Sequence, residues 1–232
     1  MQTIKALTFD TGGTVLDWHG GLVRAFAELG RRHGIGRDWP AVVNDYRRRT
    51  LAGIVNAEQP AYNFDDVHAR VMDEVCAEQG LTQFTADDRG RLWRTMHKLD
   101  AWPDFVPGLD RLRSKFPCVS FTLLTTALVI AVSRANGIVW DAVVSCEMIG
   151  VYKTRPQAYL TAAKWLQLEP SEILMVACHN FDLNAAKGCG YQTAFVRRPR
   201  EWGAGGPPDP TPNPIHDIVV DTFPELAARL GA

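Results

Sequence analysis

The sequence predicts an α/β protein: a Rossmann-like core of parallel strands with helices on both faces, into which a helical cap is inserted. Three observations carry that expectation. Short apolar runs recur at 4–9, 119–124, 142–144, 173–177, 193–196 and 218–220, each the length of a buried strand. In the second half they alternate with helical stretches such as 155–165, the order that builds parallel strands through right-handed crossovers. Between the first run and the second lies a long segment, about 17–102, patterned as helix: Leu22, Val23, Phe26 and Leu29 share one face, as do Val67, Val71, Met72 and Val75.

Taken in order, the core is expected over 1–16 and 102–232 and the cap over 17–101. The first run ends at Asp10, followed by the turn-forming Thr11-Gly12-Gly13. Ligands of open parallel sheets sit beyond the carboxyl ends of the strands, so an insertion starting directly after this loop lies over the mouth of a site. Trp102-Pro103 and Phe105-Val106-Pro107-Gly108 mark the return to the core, with Pro107 placed to start the helix of Leu109 and Leu112. The run 119–124 leads into Thr125 and Thr126. Lys153 lies in a loop before the helix opening at Arg155-Pro156, and 173–177 leads through Cys178-His179-Asn180-Phe181 to Asp182. The stretch 203–214 is rich in Pro and Gly and reads as a loop.

At 232 residues the chain has room for one sizeable domain or a core with a modest insertion. A net charge of -1 supplies no whole-molecule field to gather nucleic acid or an anionic membrane, which leaves small molecules as the expected partners. The five cysteines are scattered, odd in number and lack a CxxC pair, so the sequence indicates neither a disulfide framework nor a zinc site. The start lacks the longer apolar stretch of a signal peptide, and no apolar run approaches the roughly 20 residues that span a bilayer. A reducing cytoplasm is the expected location.

A carboxylate at a strand end followed by glycines can face a ligand while loop amides point at a developing anion. Asp10 on those terms could attack carbon or phosphorus; taken alone, Asp-Thr-Gly-Gly reads first as a turn aspartate. Thr125 and Thr126 could bind a carboxylate or phosphate, or cap a helix. Lys153 could keep Asp10 ionised, or be solvated. Asp182 has a helix cap as its alternative. If the strands pair in one parallel sheet, all four features converge on a single crevice.

The segments FDTGGTVLDW, LLTT, GVYKTRPQAY and VACHNFDLNAAKGCGYQTAFVRRP together resemble the haloacid dehalogenase superfamily, within it most nearly the type II 2-haloacid dehalogenases. The resemblance spans nearly the whole chain. It implies Asp10 as nucleophile, Thr14 as an orienting hydroxyl, Thr125 (with Thr126) as ligand of a substrate carboxylate, Lys153 as the site lysine and Asp182 as the completing acid. In the cap, Tyr46-Arg47-Arg48-Arg49-Thr50-Leu51 resembles the helix whose arginine receives the departing halide, and register favours Arg47. The implied reaction converts a short 2-haloalkanoic acid to a 2-hydroxyalkanoic acid through an aspartyl ester, without an organic cofactor. The resemblance also implies a homodimer and preference for the S-enantiomer.

Two positions separate this chemistry from that of superfamily phosphatases. Those usually place a second Asp where Gly12 stands; losing that general acid forfeits roughly 10²- to 10⁴-fold. They also place an acid four residues before Asp182, where this chain has Cys178. A magnesium ion held by Asp10, the Gly12 position and Asp182 is the alternative, in a Mg²⁺-dependent phosphatase; a catalytically impaired binding protein of the same fold is another. The chain departs from the type II pattern at Gly12 (usually aromatic), at Thr126 (usually Asn) and at Ala177-Cys178-His179 (usually Ser-x-Asn). His179 could replace the missing Asn in handling the hydrolytic water, or only hydrogen-bond within its loop. Trp18, Phe181 and Tyr62, with Asn180 beside them, are candidate pocket walls. Arg197, Arg198 and Arg200 read as a short solvated basic loop.

Overall fold

The structure is a computed structural model that describes residues 3–55 and 63–232; Tyr62 lies outside the described residues. One six-stranded sheet runs in the order β3-β2-β1-β4-β5-β6, every neighbouring pair parallel. Its strands are β1 Ala6–Phe9, β2 Cys118–Thr122, β3 Ala142–Ser145, β4 Ile173–Ala177, β5 Gln192–Val196 and β6 Ile218–Val220. The four central strands, β2, β1, β4 and β5, are buried along their whole length, as a parallel sheet covered on both faces requires. Ser120 on β2 shares a hydroxyl–hydroxyl bond of 2.8 Å with Thr11 in the loop after β1.

The inserted helices are α1 Trp18–His33, α2 Trp39–Val55, α3 Phe64–Glu78 and α4 Ala86–Arg94. Leu22, Phe26 and Leu29 of α1 and Val67, Val71, Met72 and Val75 of α3 are buried, as their helical spacing predicts. Asp17 caps α1 by accepting the Gly20 amide, and Gly34 ends it in the left-handed conformation at φ 66°. Chain entry and exit run side by side, since Leu16 and Ala101 form an antiparallel bridge. The core helices are α5 Phe105–Arg113, α6 Thr126–Asn136, α7 Cys146–Ile149, α8 Pro156–Leu166, α9 Asn180–Gly188 and α10 Phe223–Arg229.

After β1 the chain passes to β2 on one side, and after β4 to β5 on the other, so the topological switch lies between β1 and β4. Phe9 pairs with Val176, and the Asp10 amide donates to the Val176 carbonyl at 2.9 Å. Residues following the two strands therefore emerge together.

Three local differences from the sequence expectation matter. β2 stops at Thr122 instead of Leu124, because the Thr122 hydroxyl accepts the Leu124 amide at 3.1 Å and turns the chain out of the sheet. α5 opens at Phe105, two residues before Pro107. The short helices α7 and α10 carry too few residues for a periodic signal; α10 packs on α5 at Gly108, where a Cβ would lie 2.4 Å from that of Phe223. Of 203–214, Gly203–Gly205 forms one 3₁₀ turn. No helix among the described residues is long and apolar enough to cross a membrane.

Candidate active site

Asp10 is buried where β1 ends. The Thr14 hydroxyl donates to its Oδ2 at 2.7 Å and itself accepts the Cys178 amide at 3.0 Å, tying the loop after β1 to the loop after β4. Lys153, also buried, places Nζ 3.4 Å from Asp10 Oδ1 and 2.8 Å from Asp182 Oδ2. The Tyr159 hydroxyl donates to Asp182 Oδ1 at 2.6 Å. Asp182 sits inside the first turn of α9 and caps nothing; the N-cap position is His179, which makes no side-chain cap bond.

Charge at this cluster is set by competition. Burial alone would raise the Asp10 carboxyl, but Lys153 and the hydrogen bond from His179 outweigh it and hold the group well below the usual carboxylate range. Burial would lower Lys153, yet Asp182 and Asp10 raise it, so the ammonium persists. Asp182 is raised, by burial first, with Lys153 opposing. The result is a carboxylate at Asp10 that stays ionised although enclosed.

The second cluster joins His179, which the sequence offered as a candidate, to Glu201, which it did not. His179 places Nδ1 3.2 Å from Asp10 Oδ2 and its Nε2 2.9 Å from Glu201 Oε1. The same Glu201 oxygen accepts the Trp18 indole N–H at 3.0 Å. Glu201 is buried; burial would raise it, but His179 and Arg47 hold it below its ordinary value. Burial would likewise lower the His179 ring, but its acidic surroundings keep it well above its ordinary value. The Cys178 thiol is itself pushed up by burial and is neutral, so we attribute the ring's proton to Glu201 and Asp10. Gly13 makes this approach possible: its φ is +90°, and a Cβ there would lie 2.2 Å from Glu201 Oε1.

A cleft of about 10 Å³ opens onto Asp10. Gly12, Arg47, Leu51, Phe64, Leu124 and Phe181 form its walls, with Thr122, Leu123, Lys153, His179 and Asp182 at its floor and sides. That volume is at the lower limit for a single water. Arg47 is buried, stacks its guanidinium 5.3 Å from the Trp18 ring, and finds no hydrogen-bond partner among the described residues for Nε or Nη1. Burial lowers its pKa, opposed by Glu201 and Asp10. The basic run thus divides: Arg49 pairs with Asp45 and Glu78 at the surface, and Arg48 lies over Trp202. A side chain at Gly12 would come within 3.6 Å of Arg47 Nη2 and 3.7 Å of Leu124, so glycine keeps the space before the guanidinium open.

Four expected binding residues lie elsewhere. Thr125 caps α6 by accepting the Leu128 amide and donates to Asp65 of the cap at 3.0 Å. Thr126 offers its backbone amide to Glu147 at 2.6 Å. The cleft at this strand end is lined by Thr122, Leu123 and Leu124 instead, because β2 ends two residues earlier than its apolar run suggests. The Asn180 amide is committed to Thr211, Asn213 and His216. Trp18 is fully buried behind Arg47 and backs the site without facing the cleft. Phe181, by contrast, does line it, stacked on His179 with ring centroids 5.2 Å apart. Arg198 is no solvated loop residue: it bonds the Thr14 carbonyl at 3.0 Å and Asp104 at 3.1 Å, fixing the nucleophile loop from behind. Of the residues sequence reasoning missed, Tyr159 had a helical register to suggest burial; Glu201 had no local signal.

The donor set does not fit magnesium between Asp10 and Asp182. Lys153 occupies the space between the two carboxylates, both Asp182 oxygens are engaged, and the Gly12 position adds no side-chain ligand. Hard, oxygen-rich coordination is thus not provided.

The sequence profile described as haloacid dehalogenase-like hydrolase matches residues 4–190. The chain is 26% identical to (S)-2-haloacid dehalogenase 1 of Pseudomonas sp. (strain CBS-3) over 218 residues, covering 87% of this chain and 89% of that protein. It is 26% identical to (S)-2-haloacid dehalogenase 4A of Burkholderia cepacia over 244 residues, covering 99% and 98%. The crystal structure of a defluorinating L-2-haloacid dehalogenase superposes with a TM-score of 0.91 at 34% identity, covering 99% of this chain and 96% of that one.

Proposed function

The chain belongs to the haloacid dehalogenase-like hydrolases, and from that premise we propose that it hydrolyses a short (S)-2-haloalkanoic acid to the 2-hydroxy acid through an ester on Asp10. The observation that carries this reading is Arg47: a buried guanidinium with two nitrogens that find no hydrogen-bond partner among the described residues, lining the same narrow cleft as an ionised carboxylate. Glu201 and Asp10 balance its charge from a distance, but buried donors left without acceptors are costly, and a departing halide supplies one.

In the first step an Asp10 oxygen attacks the halogen-bearing carbon from the side opposite the halogen. The C–O bond forms as the C–halogen bond breaks, the halide leaves with the bonding pair toward Arg47, and the carbon inverts. Gly12 offers no general acid, and a halide needs none. In the second step water attacks the Asp10 carbonyl carbon, its proton passing to His179 Nδ1 while Glu201 holds Nε2–H. The hydroxy acid leaves with that proton, Asp10 keeps one oxygen from water, and the second water proton passes to solvent as the Asp10 carboxylate is restored.

Thr122 is the substrate-carboxylate ligand in this reading, in place of Thr125. Its hydroxyl accepts from Leu124 and has its proton to give. Thr122→Val is expected to raise KM about 10- to 100-fold, the loss of one hydrogen bond to a charged group, with a smaller change in kcat. Equal loss in both would place Thr122 in the chemistry instead.

The narrow cleft favours the smallest substrates, and one relative is named as defluorinating. The test is halide release from fluoroacetate, chloroacetate and 2-chloropropionate, with and without EDTA. Release that EDTA does not diminish is expected, fastest with the two-carbon acids. Inertness toward all haloacids, with Mg²⁺-restored cleavage of phosphate esters, would overturn the proposal.

A further inference from the structure

We propose that Cys178, His179 and Glu201 form a binding site for one zinc ion per chain. The sequence separates these ligands: Cys178 and His179 follow β4, whereas Glu201 lies in the loop after β5. Folding brings their donor atoms within 4.8 Å of one another. Cys178 Sγ lies 3.4 Å from His179 Nε2 and 3.7 Å from Glu201 Oε2, and His179 Nε2 lies 2.9 Å from Glu201 Oε1. Bonds of about 2.3 Å to sulfur and 2.0–2.1 Å to nitrogen and oxygen at tetrahedral angles separate ligand atoms by roughly 3.3–3.6 Å. The Cys178–His179 edge lies within that range; Glu201 meets Cys178 through Oε2 and His179 through Oε1, and with one oxygen as the ligand all donor atoms lie within 4.8 Å, so a small turn of the carboxylate closes the triangle.

Three further features complete a zinc site. The remaining His179 nitrogen, Nδ1, faces the Asp10 carboxylate at 3.2 Å, the outer-shell arrangement that orients zinc-bound histidines. A cavity of about 60 Å³ is lined by two of the ligands, Cys178 and Glu201, and by Asp209 among others; it has room for a water as fourth ligand. Mixed thiolate, imidazole and carboxylate donors select zinc over magnesium or calcium. Binding replaces the Cys178 thiol proton and the His179 Nε2 proton, both released to water.

If His179 and Glu201 handle the hydrolytic water as proposed above, zinc blocks ester hydrolysis; the binding itself does not depend on that reading. The experiment reads binding without turnover. Protein freed of metal by chelator dialysis is titrated with Zn²⁺ against a chromophoric chelator, and separately with Co²⁺ by absorption spectroscopy. Wild type is expected to take up one zinc and to give the intense thiolate-to-cobalt charge-transfer band of a tetrahedral site. Cys178→Ala, or Cys178→Ser if alanine impairs folding by circular dichroism, is expected to lose the band and at least about 10- to 100-fold in zinc affinity, the loss that even outer-shell changes cause. Glu201→Gln should weaken affinity while keeping the band. A folded wild type that retains no zinc, a cobalt complex without the thiolate band, or unchanged affinity in the Cys178 variants overturns the site.

Discussion

Asp10→Ala is expected to abolish halide release, a loss on the order of 10⁴-fold or greater, as for removal of other covalent nucleophiles. The fold should survive, because Lys153 keeps its shorter contact to Asp182 at 2.8 Å and the Thr14 hydroxyl keeps the Cys178 amide. Thr14, Lys153 and His179 all converge on this one carboxylate, and their combined pull keeps it ionised where burial would protonate it. A halide-sensitive electrode measures the loss. Its complement is a single turnover of wild type in ¹⁸O-labelled water, followed by mass spectrometry of the peptide containing Asp10. Label in Asp10 is the expected outcome. Label found in the hydroxy acid alone would mean that water attacks the substrate directly, and Asp10 would lose its nucleophilic role.

His179→Ala separates the two halves of the reaction. A burst of one halide per site is expected, followed by a stall in which the mass of the acyl group stays on Asp10, with turnover down roughly 10²- to 10⁴-fold. The pH dependence has a definite sign. Asp10, held below the ordinary carboxylate value, remains ionised as pH falls, so the burst persists to below about pH 4. His179 is held above its ordinary value in the free enzyme, in part by Asp10 itself. Alkylation turns Asp10 into a neutral ester and removes that anion, while Glu201 remains. Water activation needs the neutral ring, so steady-state turnover falls with decreasing pH through a midpoint at or above about 6.5. Glu201→Gln should move that midpoint downward and slow turnover. Unchanged turnover in His179→Ala would reduce the histidine to a loop contact.

Thr122 and Glu201 mark where reading residues in order reached its limit. The run ending in Leu124 looked like strand throughout, since apolar character cannot distinguish the last ladder residue from the first turn residue. A hydroxyl bond from the Leu124 amide to Thr122 ends β2 and carries the cleft away from Thr125, which becomes a helix cap bonded to Asp65. Asn180 and Trp18 stood at the right spacing but turn into other contacts, because neighbours in sequence at a helix start point in different directions.

By itself the sequence determined the parallel α/β core, the helical insertion after β1, and the placing of Asp10, Lys153 and Asp182 in the connections that follow strand carboxyl ends. These follow from local periodicity and from the rule that parallel strands present their carboxyl ends to one crevice. Tertiary structure alone decided which arginine of 47–49 is buried and unpaired, and that Glu201 reaches across from the β5 loop to His179. Both depend on contacts between elements distant in the chain, made in a desolvated interior where one ångström of placement changes the charge a group carries. No residue pattern along the chain records such a distance.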